Sequence, residues 1–109
     1  MNSKIIKSSD LKKKVHELRK QNKKIVQCHG VFDLVHIGHI NHFKKAKDYG
    51  NIIIATVTSD RFVNKGINRP IFNQEKRIAF IAELDCVDYV SLSDYPDAVN
   101  LIKIIKPNI

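Results

Sequence analysis

The sequence predicts an α/β domain whose parallel sheet carries helices on both faces. Three observations predict it. Two short runs, residues 24–29 (Lys-Ile-Val-Gln-Cys-His) and 52–57 (Ile-Ile-Ile-Ala-Thr-Val), are nearly continuous in apolar and β-branched residues, as strands buried on both faces are. Stretches with apolar residues at helical spacing alternate with these runs. The connections between the two kinds of segment are short, and strand-helix-strand units linked in this way wind right-handed into a parallel sheet. With 109 residues, 43% hydrophobic and 28% charged, and with four Gly and three Pro, the chain has the make-up of one globular domain. Disordered, collagenous and disulfide-scaffold classes are excluded.

Ser8-Ser9-Asp10 gives an N-cap signal ahead of Leu11, Val15 and Leu18 at i, i+4 and i+7. A surface helix is therefore expected, ending near Gln21-Asn22. The first strand follows over 24–29 and is closed by Gly30. A helix over 39–48 has Ile40, Phe43 and Ala46 or Lys47 at helical spacing and is expected to stop at Tyr49-Gly50, with Gly50 as a left-handed C-cap. After the second strand, Asn73 opens a helix over 74–84 with Ile78, Ile81, Ala82 and the flanking Phe80 as its apolar face, and Phe72, Ile78 and Phe80 are assigned to the core. Residues 87–92 read as a third strand. Another helix is expected over 96–106, with Pro96 in its first turn, where the missing N–H costs nothing, and Val99, Ile102 and Ile105 on one face. Pro107-Asn108-Ile109 reads as the start of a fourth strand. Domains seldom stop on the first residues of a core strand, so the sequence reads as a piece of a longer chain whose sheet lacks its C-terminal part. Residues 1–23 are expected as a basic helical segment and 24–109 as the domain proper.

The charge is uneven along the chain. Residues 1–24 hold nine Lys or Arg against Asp10 and Glu17, a net +7, whereas the remaining 85 residues net only +1. The basic balance thus belongs to the first segment and not to a groove-lining pattern through the fold. Aromatic residues are sparse there, so nucleic acid ranks behind small molecules as a partner. No apolar run approaches the roughly 18 to 20 residues that span a bilayer, and the polar, Lys-rich start is unlike a signal peptide. Cys28 and Cys86 sit beside apolar neighbours without partners at metal-finger spacing, which fits reduced structural thiols and a cytoplasmic location.

The densest constellation is His29-Gly30-Val31-Phe32-Asp33-Leu34-Val35-His36-Ile37-Gly38-His39. It lies at the carboxyl end of the first strand and leads into a helix, where α/β sheets bind phosphates. Gly30 and Gly38 let backbone approach a ligand closely, and the N–H groups of the helix's first turn present partial positive charge. His36 and His39, three apart, fall on one side if the turn between them is helical. Two imidazoles donating to one phosphoryl group would favour the extra charge on its oxygens in a pentacoordinate transition state.

Residues 30–39, Gly-Val-Phe-Asp-Leu-Val-His-Ile-Gly-His, resemble the G-x-F-D-x-x-H-x-G-H signature of a nucleotidyltransferase superfamily, and the match is complete. That superfamily contains glycerol-3-phosphate cytidylyltransferase and the heptose-1-phosphate adenylyltransferase domain. Thr58-Ser59-Asp60 resembles its S/T-D step, Arg69-Pro70 with Glu75-Lys76-Arg77 its R-P-x-x-x-x-E-x-R stretch, and Leu84 with Val87-Asp88-Tyr89-Val90 its L-x-x-V-D-x-V run. The resemblance covers residues 24–109 and implies a Rossmann-like sheet. The family's later S/T-T-K-like motif has no counterpart here, and His29 stands where many relatives carry Asn, Asp or Tyr.

The activity implied by the resemblance is direct nucleotidyl transfer. A phosphate oxygen of the acceptor attacks the α-phosphorus of CTP or ATP, pyrophosphate leaves, and Mg²⁺ comes with the triphosphate. The resemblance assigns His36 and His39 to the transferring α-phosphate, Lys65 and Arg77 to the triphosphate or the acceptor phosphate, and the Gly30-Val31 backbone with Phe32, Gly38 and Ser59 to nucleotide placement. Asp33, within the same binding stretch, is expected to fix the loop by accepting backbone N–H bonds. Self-association fits the family. CTP against ATP, and the identity of the acceptor, stay open.

The same residues have ordinary readings. The two imidazoles can be a turn and a helix histidine with solvent contacts. His29, His36, His39 and His42 can be set against a metal, but no carboxylate or thiolate at matching spacing completes the set, so no metal site is assigned. Lys65 can be a solvated side chain in a polar loop, and Arg77 can form an ion pair with Glu75 or Asp60. Two functional rivals follow: a catalytically incomplete nucleotide-binding module of a longer protein and, less favoured, nucleic-acid binding through the +7 segment.

Overall fold

A computed structural model describes residues 3–63, 70–95 and 98–109. Three strands, β1 (Ile25–Gly30), β2 (Ile52–Thr58) and β3 (Tyr89–Ser93), form a parallel sheet in the order β1-β2-β3. Four helices, α1 (Leu11–Lys20), α2 (Ile37–Ala46), α3 (Gln74–Ala82) and α4 (Val99–Ile105), cover both faces. The alternation of side chains along each strand sorts the core into two layers. Val26, Cys28, Ile53, Ala55, Val57 and Val90 meet Phe43 and Ala46 of α2 and Ile81 and Ala82 of α3 on one face. Ile25 and Ile54 meet Leu11, Val15 and Leu18 of α1 and Leu101 and Ile105 of α4 on the other. The basic first segment is therefore packed into the fold through α1. Burial pushes the Cys28 thiol above its ordinary range, with a smaller push from neighbouring Cys86.

The expected α/β class and the expected parallel strands are found. Several details differ. α1 is entered through a 3-10 turn, Ser8–Asp10, and the Asp10 side chain makes no cap, because that turn leaves Asp10 with helical backbone (φ −100°, ψ −4°) in place of the extended one a capping residue needs. Gly50 is not a left-handed cap. Its backbone is extended (φ −172°, ψ 170°), and α2 ends instead through a 3-10 turn, Lys47–Tyr49. A side chain there would put its Cβ 2.7 Å from Val26 Cγ2 and 3.1 Å from the Lys24 carbonyl oxygen, so close approach explains this glycine.

On α3, Phe80 points outward and is 59% exposed, whereas Arg77 is buried. At about 100° per residue the stripe 77, 78, 81 and 82 leaves position 80 roughly 130° from its centre. Asn73 does cap this helix, accepting from the Lys76 N–H at 2.9 Å. On α4 the buried residues are Leu101 and Ile105, and Val99 and Ile102 lie at the surface. Residues 96–97, including Pro96, lie outside the described residues. β3 begins later than expected because Val87 belongs to the turn after α3, donating to the Leu84 carbonyl. The preceding Asp88 then ties the start of β2, its carboxylate accepting from Ile53 N–H (2.7 Å) and Lys47 Nζ (2.6 Å).

No strand forms at 107–109, but the backbone there has begun to pair. Asn108 N–H donates to the Ile25 carbonyl (2.9 Å) and Gln27 N–H donates to the Ile109 carbonyl (3.0 Å), along the edge of β1 opposite β2. At the other edge Ile5 bridges Val90 of β3 in parallel. Toward the carboxyl ends, the face under α4 changes from apolar to polar. His29, Thr56 and Thr58 form a ladder, with His29 Nδ1 2.8 Å from Thr56 Oγ1, beside the fully buried Ser91 and Ser93.

Candidate active site

The segment linking β1 to α2 rises from the carboxyl end of the sheet, and its geometry rests on two imidazoles. His36 is the N-cap of α2, with extended backbone (φ −134°, ψ 179°), so the pair does not owe its proximity to helical spacing. It comes from reciprocal capping. His36 Nδ1 accepts from Gly38 N–H at 3.0 Å, and His39 Nδ1 accepts from His36 N–H at 3.2 Å, with the ring centroids 4.2 Å apart. A ring nitrogen that accepts carries no proton, so both neutral rings hold theirs on Nε2. Gly38 is required by the same contact. A Cβ at this position would lie 2.7 Å from His36 Cε1 and 2.9 Å from Nδ1. The Gly38 N–H, expected to face an anion, is occupied by His36.

Behind the imidazoles the loop is strained and firmly held. Phe32 has φ 54°, a left-handed conformation that costs a non-glycine residue about 1 kcal/mol or more. Its ring lies against Gly30, where a Cβ would meet it at 3.0 Å, and packs edge-on to His39 (5.6 Å between centroids, 69°) and tilted on Phe43 (5.5 Å). Asp33 accepts backbone N–H bonds as expected, from a segment distant along the chain. Ile71 N–H reaches Oδ2 at 2.9 Å and Phe72 N–H reaches Oδ1 at 3.0 Å.

Arg77 is 1% exposed. Its Nε donates to the Phe72 carbonyl (3.0 Å), Nη1 donates to the Val31 (2.8 Å) and Thr58 (2.7 Å) carbonyls, and Nη2 pairs with Asp60 Oδ1 (2.6 Å). Of the two ion-pair partners considered from sequence it takes Asp60, and the pair is internal on the arginine side. Asp60 N–H also donates to Gln74 Oε1 at 3.0 Å. Ser59 is likewise buried, and its hydroxyl donates to Asp94 Oδ1 (2.8 Å), which Arg61 grips with Nε and Nη2, both at 2.9 Å. The Ser59 bond and then the Arg61 guanidinium hold the Asp94 carboxyl below the usual carboxylate range. Lys65 and Arg69 lie outside the described residues.

The structure thus brings Gly30, Val31, Phe32, Asp33, His36, Gly38, His39, Ser59 and Arg77 to the carboxyl end of the sheet. Of that set, Gly38 N–H, Asp33, Ser59 and Arg77 are engaged with protein partners. Asp94 and Gln74, which tie the strand ends together, carried no signal in the sequence, since Asp94 lies outside the motifs and Gln74 occupies a variable position of the R-P-x-x-x-x-E-x-R stretch. The cleft behind the loop, lined by Phe32, Val35, Phe72 and Phe80 among others, measures about 80 Å³ and is too small for a nucleotide. A larger groove of about 730 Å³, lined by Lys12, Lys13, His16, Arg19, Lys103 and Lys106, runs between α1 and α4 on the face away from α2. Among the described residues no group of three His, Cys, Asp or Glu converges as metal ligands, and no helix is long and apolar enough to cross a membrane.

Comparison with known proteins adds three findings. A family model described as cytidylyltransferase-like matches residues 27–109. Proteins named bifunctional protein HldE are similar to the chain: that of Aliarcobacter butzleri is 37% identical over 110 residues, covering 99% of this chain and 23% of that protein, and that of Nitratiruptor sp. is 42% identical over 95 residues, covering 85% and 21%. The chain spans about a fifth of the length of these relatives. Among solved structures, a lipopolysaccharide core biosynthesis protein from Thermoplasma volcanium superposes with a TM-score of 0.72 at 32% identity, covering 79% of this chain and 70% of that one.

Proposed function

Because the chain belongs to the cytidylyltransferase-like family, a family of enzymes, we propose that it transfers a nucleotidyl group from a nucleoside triphosphate to a phosphorylated acceptor. ATP is the proposed donor and a heptose 1-phosphate the proposed acceptor. The motif is shared across the superfamily, and it is the repeated similarity to HldE proteins that favours them. The chemistry is in-line displacement. An acceptor phosphate oxygen attacks the α-phosphorus, the bond to the bridging oxygen breaks, and pyrophosphate departs, with Mg²⁺ arriving as part of the Mg·ATP substrate.

The observation that carries this reading is the reciprocal capping of His36 and His39. With Nδ1 accepting on both rings, the neutral imidazoles carry their protons on Nε2, and these are the donors proposed to meet the α-phosphate oxygens, where charge builds in the transition state. The backbone of Gly30 and Val31 and the first turn of α2 supply the surface on which the nucleotide lies, and Lys65 is proposed to reach the triphosphate. On this reading the partners are small molecules. The location is cytoplasmic, in keeping with two free thiols, and the half-exposed Leu34, Ile71 and Phe80 give self-association an apolar surface.

The test is titration calorimetry of the chain with Mg·ATP and with Mg·CTP, followed by pyrophosphate release with a heptose 1-phosphate. ATP binding that His39→Ala weakens at least tenfold, with release only when the acceptor is present, is the expected result. CTP binding in place of ATP would move the donor assignment, and a folded chain that binds neither nucleotide would overturn the reading.

A further inference from the structure

The sequence motif assigns Arg77 to phosphate, yet its guanidinium is turned inward and spent on four protein acceptors. One of these, the Val31 carbonyl, belongs to the peptide that leads into Phe32, the loop residue held at φ 54°. On the far side of Phe32, the Asp33 carboxylate is pinned by the Ile71 and Phe72 N–H groups. The Phe72 carbonyl is in turn held by Arg77 Nε. A strained residue thus stands between two anchors that share one arginine, and the ring it projects packs edge-on against His39.

We propose that Arg77 is a positioning residue: by holding the Val31 carbonyl and the 71–72 backbone it keeps Phe32 in the left-handed conformation, and through the Phe32 ring it sets the orientation of the His39 imidazole. The inference rests on the nucleotidyl-transfer reading for its consequence, because His39 is the group that would meet the α-phosphate. The planar fork explains why arginine is used. Three carbonyls and a carboxylate are met at fixed angles, which a lysine ammonium on a flexible stem cannot reproduce. The fork also reaches the Thr58 carbonyl, so the end of β2 and the loop after β1 are set by the same group.

The experiment uses Arg77→Lys, Arg77→Gln and Phe32→Leu. Positioning predicts that Arg77→Lys and Arg77→Gln both lower kcat by about a hundredfold while KM for ATP moves less than threefold, and that the His39 ring resonances shift in nitrogen-15 NMR. Phe32→Leu, which leaves every Arg77 bond in place, shifts the same resonances. Combined with Arg77→Lys it lowers kcat by far less than the product of the two single effects, since both act through one ring. A direct phosphate contact predicts the reverse split, with Arg77→Gln raising KM and Arg77→Lys rescuing it, and that result overturns the proposal. A purely structural role lowers Tm and leaves kcat and the His39 resonances unmoved at temperatures well below unfolding, which also overturns it. If the Arg77 variants fail to fold, Phe32→Leu decides, and unmoved His39 resonances reject the coupling. A wild-type chain without nucleotidyl transfer would instead sink the functional reading, and the ring resonances would still report on Arg77.

Discussion

At the scale of single residues, Gly38 shows how a motif position can be set by its neighbour. Its missing Cβ is the space in which the His36 ring lies. Gly38→Ala is expected to leave stability within about 1 kcal/mol, since alanine is the better helix former, while it displaces the ring and breaks the Gly38 to His36 bond. Melting curves alongside nucleotide titration check this, with affinity expected to fall roughly tenfold, about 1.4 kcal/mol. Unchanged affinity would mean that the ring position is immaterial. Ser59 offers a second case. Its hydroxyl is the largest influence lowering Asp94, so Ser59→Ala should raise that carboxyl toward the usual range, as read by carbon-13 NMR titration. A carboxyl whose folded pKa is lowered adds stability above its unfolded value and loses it as pH falls through the folded one. The Ser59→Ala effect should therefore be full at neutral pH and vanish in acid. The motif residues were legible because spacing and residue type alone mark them. The inward turn of Arg77 was not, since an arginine on a helix beside an acidic residue reads equally as ligand contact, surface pair or internal brace, and only the fold chooses.

At the scale of elements, capping and stripe phase decide where prediction succeeds. Asn73 caps α3 through the Lys76 N–H, and its replacement by alanine should cost about 1 kcal/mol, measured as a shift in urea midpoint with unchanged slope. No shift would mean that water or another donor arrangement replaces the bond. Strands β1 and β2 were readable from continuous apolar runs, since both of their faces are covered. The face of α4 was not. In Val99-Asn100-Leu101-Ile102-Lys103-Ile104-Ile105 apolar residues stand on nearly every side, so the pattern has no unique phase, and packing against α1 and β1 selects Leu101 and Ile105. The same reasoning covers Phe80. Its size argues for burial, but its angle on α3 puts it outside, where it borders the small cleft behind the active-site loop.

At the scale of the whole molecule, the basic first segment belongs to the structure in spite of its charge. Leu11, Val15 and Leu18 are 0%, 3% and 5% exposed, and together with Ile25, Ile54, Leu101 and Ile105 they make up the second core layer. Leu11→Ala is expected to destabilise the fold by about 2 to 5 kcal/mol, measured by denaturant unfolding. A loss well under 1 kcal/mol would show that α1 is loosely attached. Lys12, Lys13 and Arg19 of α1 meanwhile line the groove shared with α4, so the helix is apolar inward and basic outward, as a single amphipathic pattern requires.

The pairing at the two outer edges of the sheet also fixes a sequence of events in time. Ile25 accepts from the backbone of Asn108, whose side-chain Oδ1 in turn accepts from the Ile25 N–H, 83 positions earlier. On the opposite edge, residue 5 waits for Val90. At ribosomal rates of roughly 5 to 20 residues per second, the edge of β1 is made about 4 to 17 s before the residues that pair with it. Its inner neighbour β2 arrives sooner, so the nascent sheet grows from one side while the Ile25 edge stays open. Contacts this distant along the chain also slow the final closure. The outer edge of β1 and the Ile5 segment are thus the stretches of this domain that wait longest for their partners during synthesis.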